Sequence, residues 1–171
     1  MLELLMPNDF DKLYSLIKST FPSNEYREYD EQRKIFDISE YSVYALKDGE
    51  EIEAFIAAWS FDDFAYIEHF AVAEKYRNNG LGAKLLKEFC DKFDKTICLE
   101  VELPKTEMAK RRIGFYERNN FFLNNYPYVQ PAFSKNKKSL PLLIMTSNAS
   151  VDKQEFDQIK STLYREVYKI Y

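Results

Sequence analysis

From Tyr41 the sequence changes to a period of two, and its apolar, aromatic-rich and branched segments up to Val72 are broken by turn residues at Asp48-Gly49 and at Asp62-Asp63. A period of two belongs to a strand, whose successive side chains point to opposite faces. The spacing therefore predicts three strands: Tyr41 to Leu46, Ile52 to Trp59 and Ala65 to Val72. Asp48-Gly49 supplies a tight hairpin turn between the first two. A meander of this kind needs a covering layer on its apolar side, and the flanking segments are built to provide one.

Those segments change to helical spacing. Asn8 or Asp9 can cap a helix in which Phe10, Leu13, Tyr14, Ile17 and Phe21 share a face, ended by Pro22. Met1 to Met6 is an apolar run that reads as a first strand, and the charged stretch from Tyr26 to Ile38 reads as an exposed second helix. Beyond Val72, Leu81, Leu85, Leu86, Phe89, Cys90 and Phe93 form the stripe of a helix over about Gly80 to Phe93. Thr96 to Val101 is a compact strand closed by Pro104, and Thr106 to Asn119 is a further helix. Two more strands are expected, one around Phe121 to Leu123 plus Tyr128 to Phe133, the other over Leu142 to Met145. Asp152 and Glu155 stand like a capping box before a last helix over 152–171. Its stripe is Phe156, Ile159, Leu163, Val167 and Ile170, flanked by Tyr164, Tyr168 and Tyr171. The order predicts an α/β (α+β) fold, one domain over residues 1–171 with an appended C-terminal helix.

The bulk properties exclude several classes. A net charge of −4 argues against broad electrostatic binding to nucleic acid. The single histidine, His69, leaves no cluster for a metal, and none is expected. Cys90 and Cys98 fall in apolar patterns and read as small buried side chains, not as a disulfide. With no basic, apolar leader and no apolar run of membrane-spanning length, a cytoplasmic protein without a membrane partner is expected.

One cluster carries chemistry. Two of the chain's 4 glycines lie in Arg77-Asn78-Asn79-Gly80-Leu81-Gly82-Ala83, between a strand and an amphipathic helix. The first backbone N–H groups of a helix have no partner within it, and the helix dipole adds partial positive charge. Glycine lets an anion approach the backbone closely. Together these make a site suited to a pyrophosphate. The spacing is neither a P-loop nor a dinucleotide fingerprint.

The run Ile67-Glu-His-Phe-Ala-Val72, followed by Ala73-Glu-Lys-Tyr-Arg-Asn-Asn-Gly-Leu-Gly-Ala-Lys-Leu-Leu86, resembles motif A of the GNAT acetyltransferase superfamily. That motif reads Arg or Gln, two residues, Gly, one residue, then Gly or Ala. Ile113-Gly-Phe-Tyr-Glu-Arg-Asn-Asn-Phe121 resembles motif B, which follows in the expected order. The resemblance implies a mixed, mostly antiparallel sheet of about seven strands flanked by helices, splayed between the fourth and fifth strands. It implies acetyl-CoA as co-substrate, with its pyrophosphate on Arg77, Asn78, Asn79, Gly80, Leu81, Gly82 and Ala83. The pantetheine arm would pair with the backbone of Phe70, Ala71 and Val72, an extra-strand mode of binding.

The implied reaction is attack of an amine on the acetyl thioester, and a protonated amine must first lose its proton. Glu68 is the first candidate for the base and Glu100 the second. His69 should point away from Glu68 in a regular strand and becomes an alternative only at a bulge. Tyr116 matches the motif-B tyrosine that protonates the departing thiolate, and a backbone N–H near Phe70 would hold the oxyanion. Two positions depart from the family pattern. Asn120 replaces a glycine, and asparagine tolerates the left-handed turn. Ala109 stands where an asparagine is common, while Arg111 and Arg112 on the same helix serve either the coenzyme or the surface. The acceptor, a small-molecule or peptide amine, is not readable. The aromatic stretch Tyr126 to Phe133 lies on the acceptor side, and packing of the last helix within the chain is favoured over a dimer contact, leaving monomer or homodimer open. The competing readings are a non-catalytic acyl-CoA-binding module and an interaction protein using the aromatic C-terminal region.

Overall fold

The computed structural model describes residues 1–169. Ile170 and Tyr171, assigned above to the last helix, lie outside the described residues. The chain divides into two compact units, Met1–Lys95 and Thr96 onward.

The first unit holds four antiparallel strands in the order β1 (Glu3–Leu4), β2 (Tyr41–Asp48), β3 (Glu51–Ser60) and β4 (Phe64–Val72). The expected meander is present. Gly49, at φ +57°, opens the two-residue loop that pairs Asp48 with Glu51, and glycine adopts that angle without a steric penalty. Along β3 every residue from Ala54 to Trp59 is at most 3% exposed. Burial at consecutive positions means that both faces are covered, so this strand does not alternate. Helices α1 (Phe10–Thr20) and α3 (Leu81–Cys90) pack on it. α1 buries Phe10, Leu13, Tyr14 and Ile17, the face expected from their spacing. Helix α2 (Tyr29–Ile35) is shorter than expected. Tyr26 and Glu28 are extended instead, because Arg27 between them is drawn onto β4 by an ion pair described below.

In the second unit β7 (Leu140–Ser147) lies between β5 (Thr96–Glu102) and β6 (Phe121–Gln130), antiparallel to both. Helix α4 (Glu107–Arg118) packs on β5 and β6, and Thr106 caps it by accepting from the Ala109 N–H at 3.1 Å. Asn120 has φ +65°, the left-handed turn expected of it, and its amide donates to Asn148 Oδ1 at 2.8 Å. β6 is one strand with an interruption: Asn124 pairs with Ile144 and Tyr128 with Leu142, so β6 carries extra residues against β7. The buried Asn124 stabilises this bulge. Its amide donates to the Ile144 carbonyl and Thr146 Oγ1, and its Oδ1 accepts from the Val151 N–H.

The final helix α5 (Lys153–Thr162) starts with the expected capping box between Asp152 and Glu155. It ends earlier than expected. Leu163–Val167 continue in wider, π-type winding, closed by the Tyr168 N–H on the Leu163 carbonyl. That winding leaves Tyr168 buried, with its hydroxyl on Glu100. Phe156, Ile159, Leu163 and Val167 are buried, and α5 packs on β6. Phe156→Ala is expected to cost about 3–5 kcal/mol of stability in a urea melt, because the ring is 1% exposed and its loss leaves a cavity.

Candidate active site

The glycine cluster follows the end of β4. A short helical turn, Glu74–Tyr76, leads to Arg77, and α3 begins at Leu81 with Gly80 as its N-cap. Asn78 and Gly80 both take left-handed backbone angles, +65° and +73°. Nothing lies within 4 Å of the place a Cβ on Gly80 would occupy. Its glycine is therefore favoured by conformation rather than by a neighbour's proximity. Leu81, Gly82 and Ala83 are half-buried, and as the first helical residues they have no helical partner for their N–H groups. The exposed Arg77 folds back so that its Nε donates to the Val72 carbonyl at 3.0 Å, joining the loop to the strand end. Phe70, Ala71 and Val72 pair through β3 with Ile56, Phe55 and Ala54.

Glu68 sits at a bulge. His69 pairs with Ala57 and Ile67 with Ala58, so Glu68 has no counterpart on β3. Opposite orientation of Glu68 and His69 is expected only of a regular strand, and the bulge is the exception under which His69 stays an alternative, since a bulge disrupts strand alternation. His69 Nδ1 lies 3.4 Å from Glu68 Oε2, longer than an ordinary hydrogen bond. Its Nε2 is 2.7 Å from the Glu25 carbonyl. A carbonyl only accepts, so Nε2 carries the proton.

The Glu68 side chain is 0% exposed although the residue as a whole is half-buried, which makes its backbone the open part. Arg27 grips the carboxylate with two hydrogen bonds, at 2.9 and 2.8 Å, and Trp59 Nε1 adds a third at 3.2 Å. Burial pushes the Glu68 carboxyl up. The Arg27 charge, the contacts with His69 and the Arg27 hydrogen bonds outweigh it and bring the group down to about 2. A carboxylate this acidic and enclosed holds the bulge in place but binds a proton weakly at neutral pH. The geometry therefore speaks against the expected base role.

In the second unit Tyr116 lies on the buried face of α4 with Ala109 and Ile113, its ring against Phe115 and Phe121. Burial pushes its phenol up to about 12, and the Arg112 charge opposes this. Arg111 and Arg112 are exposed, and Arg112 lies 3.8 Å from Glu102. Glu100, half-buried on β5, accepts among the described residues from the hydroxyls of Tyr128 and Tyr168 at 3.0 and 2.7 Å and from the Gln130 amide at 2.7 Å. Sequence reading missed Arg27, Trp59, Gln130 and the hydroxyl of Tyr168 as partners of the two candidate carboxylates. Cys98 is buried, Cys90 half-buried and neither forms a disulfide. Among the described residues no group of three His, Cys, Asp or Glu could hold a metal ion. Nor is any described helix long and apolar enough to cross a membrane.

A model of the acetyltransferase (GNAT) family matches residues 10–121. The chain belongs to that family. A protein from Bacteroides thetaiotaomicron, assigned to the same family, has a similar structure with a TM-score of 0.92 at 32% identity, covering 100% of this chain and 99% of that one. The ribosomal-protein-S18-alanine N-acetyltransferase of Escherichia coli gives 0.65 at 20% identity over 90% and 96% of the two chains. An Arabidopsis thaliana protein solved with acetyl-CoA gives 0.66 at 17% identity over 85% and 96%. No curated protein sequence matches. The seven strands with flanking helices are those of the mixed, open-sheet GNAT fold, the class that the motifs implied.

Proposed function

We propose that this protein transfers an acetyl group from acetyl-CoA to a primary amine by direct attack. The observation that carries the reading is the run from the end of β4 through Arg77 to the start of α3. It offers backbone donors without a helical partner at a helix N-terminus, approached by two left-handed residues, directly after a strand whose backbone is open at Glu68. Family membership and the acetyl-CoA bound to a neighbour of similar fold support the same donor.

In this reading the N–H groups of Leu81, Gly82 and Ala83 take the pyrophosphate, with Arg77, Asn78, Asn79 and Gly80 shaping the approach. The pantetheine arm runs along Phe70, Ala71 and Val72. The amine nitrogen attacks the thioester carbonyl carbon, the C–S bond breaks, and the thiolate leaves and gains a proton from Tyr116. The backbone at the Glu68 bulge, anchored by Arg27, is well suited to hold the oxyanion. The amine proton leaves through water or to Glu100, the other carboxylate put forward by the sequence.

Calorimetric titration with acetyl-CoA tests the donor. The wild-type protein is expected to bind, and Gly82→Glu to weaken binding about tenfold or more by setting a carboxylate against phosphate. Equal affinity in the two proteins would remove the phosphate site. Thiol release across polyamines, amino acids, aminoglycosides and peptides tests transfer. Binding without turnover on any of them would favour a non-catalytic coenzyme-binding module.

A further inference from the structure

The proposed reaction does not need the full set of groups around Glu100. Tyr128, on β6, and Tyr168, after the π-type turn, both donate to Oε1, at 3.0 and 2.7 Å. Gln130 Nε2 donates to Oε2 at 2.7 Å. The orientation of the Gln130 amide is dictated by this contact, since the reverse would set one acceptor against another. Its Oε1 is thereby committed as an acceptor, and that atom is buried without a hydrogen-bond partner among the described residues. Gln130 is only 6% exposed. A buried acceptor with no donor is costly, and such an atom marks a place where a donor belongs.

The amide oxygen and nitrogen share one carbon, so the orphan acceptor lies beside the Glu100 carboxylate. Burial pushes the Tyr128 phenol well up, and the Glu100 charge adds to this. The surroundings are aromatic. Tyr128 packs against Tyr164 at 6.0 Å, and Tyr168 against Phe133 at 5.1 Å. A carboxylate, a neutral acceptor awaiting a donor and electron-rich rings together favour a small cation that carries N–H groups.

We propose that Glu100 and Gln130 Oε1 form a binding site for an alkylammonium group. Resting on the acetyl-transfer reading, the proposal makes this the place where the acceptor substrate is held, by its reacting nitrogen or by a second one. Glu100 supplies the charge and Gln130 the second acceptor. Tyr128 and Tyr168 orient the carboxylate through their hydroxyls.

The test is a chemical-shift titration of the full chain with n-butylamine, diaminobutane and n-butanol at neutral pH. Both amines are expected to bind and the alcohol to bind far more weakly. Glu100→Gln should weaken amine binding about tenfold or more, and Gln130→Leu by a smaller factor, with the butanol response unchanged. Tyr168→Phe keeps the charge and the ring and should retain binding. If Glu100→Gln misfolds, Gln130→Leu carries the comparison. Absence of amine binding, equal binding of butanol, or wild-type affinity in the Gln130→Leu and Glu100→Gln proteins would overturn the site. Amine binding in a protein that fails to bind acetyl-CoA would instead remove the transfer reading and leave the ammonium site standing.

Discussion

Arg27→Ala is expected to lower stability by about 3–5 kcal/mol, because it leaves a buried carboxylate without its counter-charge. Arg27 and Glu68 have side chains 7% and 0% exposed and share two hydrogen bonds. With Arg27 gone, Trp59 Nε1 and the His69 contact remain, and burial again drives the carboxyl upward. The pH dependence gives the sign. In the wild-type protein Glu68 is lowered from 4.5 to about 2. Its contribution is therefore complete above about pH 4.5 and is lost as the pH falls toward 2, a span worth roughly 3 kcal/mol. In Arg27→Ala the folded state instead gains from protonation, so the deficit against wild type should shrink on acidification. Urea melts between about pH 3 and pH 7 read both effects. The double change Arg27→Met with Glu68→Met should recover much of the loss, since removing both charges leaves none buried alone. A deficit below about 1 kcal/mol at neutral pH would show that the pair does not hold the bulge.

That pair also marks the boundary of what can be read from sequence. Phe10, Leu13, Tyr14 and Ile17 share a face through local helical geometry, and they are buried as their spacing requires. The Asn120 turn was legible for the same reason, since the left-handed preference belongs to the residue itself. The Arg77 to Ala83 loop was readable from its glycines and from the helix that follows. The bulge at Glu68 was not, because register depends on β3 as much as on β4. Arg27 is 41 positions from Glu68 and lies in a charged stretch with sparse apolar positions, which reads as solvent-exposed helix. Tyr168 is 68 positions from Glu100, and its inward turn follows a π-type winding with no local signature in the stripe. The donor half of the proposed reaction is therefore local in sequence, whereas the partners that define both carboxylates are set by tertiary packing.

Tyr116→Phe is expected to lower the turnover of acetyl transfer by about 10²–10⁴-fold, the range usual for loss of one positioned acid. The substitution removes one oxygen from a buried ring and keeps its packing on Phe115 and Phe121. Coenzyme affinity should stay near wild type, because the proposed pyrophosphate and pantetheine contacts are made elsewhere. The phenol is raised to about 12 by burial, so it keeps its proton throughout the neutral range. That is the protonation state an acid needs. The same shift weakens it as a donor to a thiolate of pKa near ~8.5, so proton delivery should follow or accompany C–S cleavage rather than precede it. One readout separates this role from packing alone: turnover should fall while the acetyl-CoA dissociation constant and the stability in a urea melt do not. An unchanged kcat in Tyr116→Phe on a good amine substrate would assign thiolate protonation to solvent and leave Tyr116 as a core residue of α4.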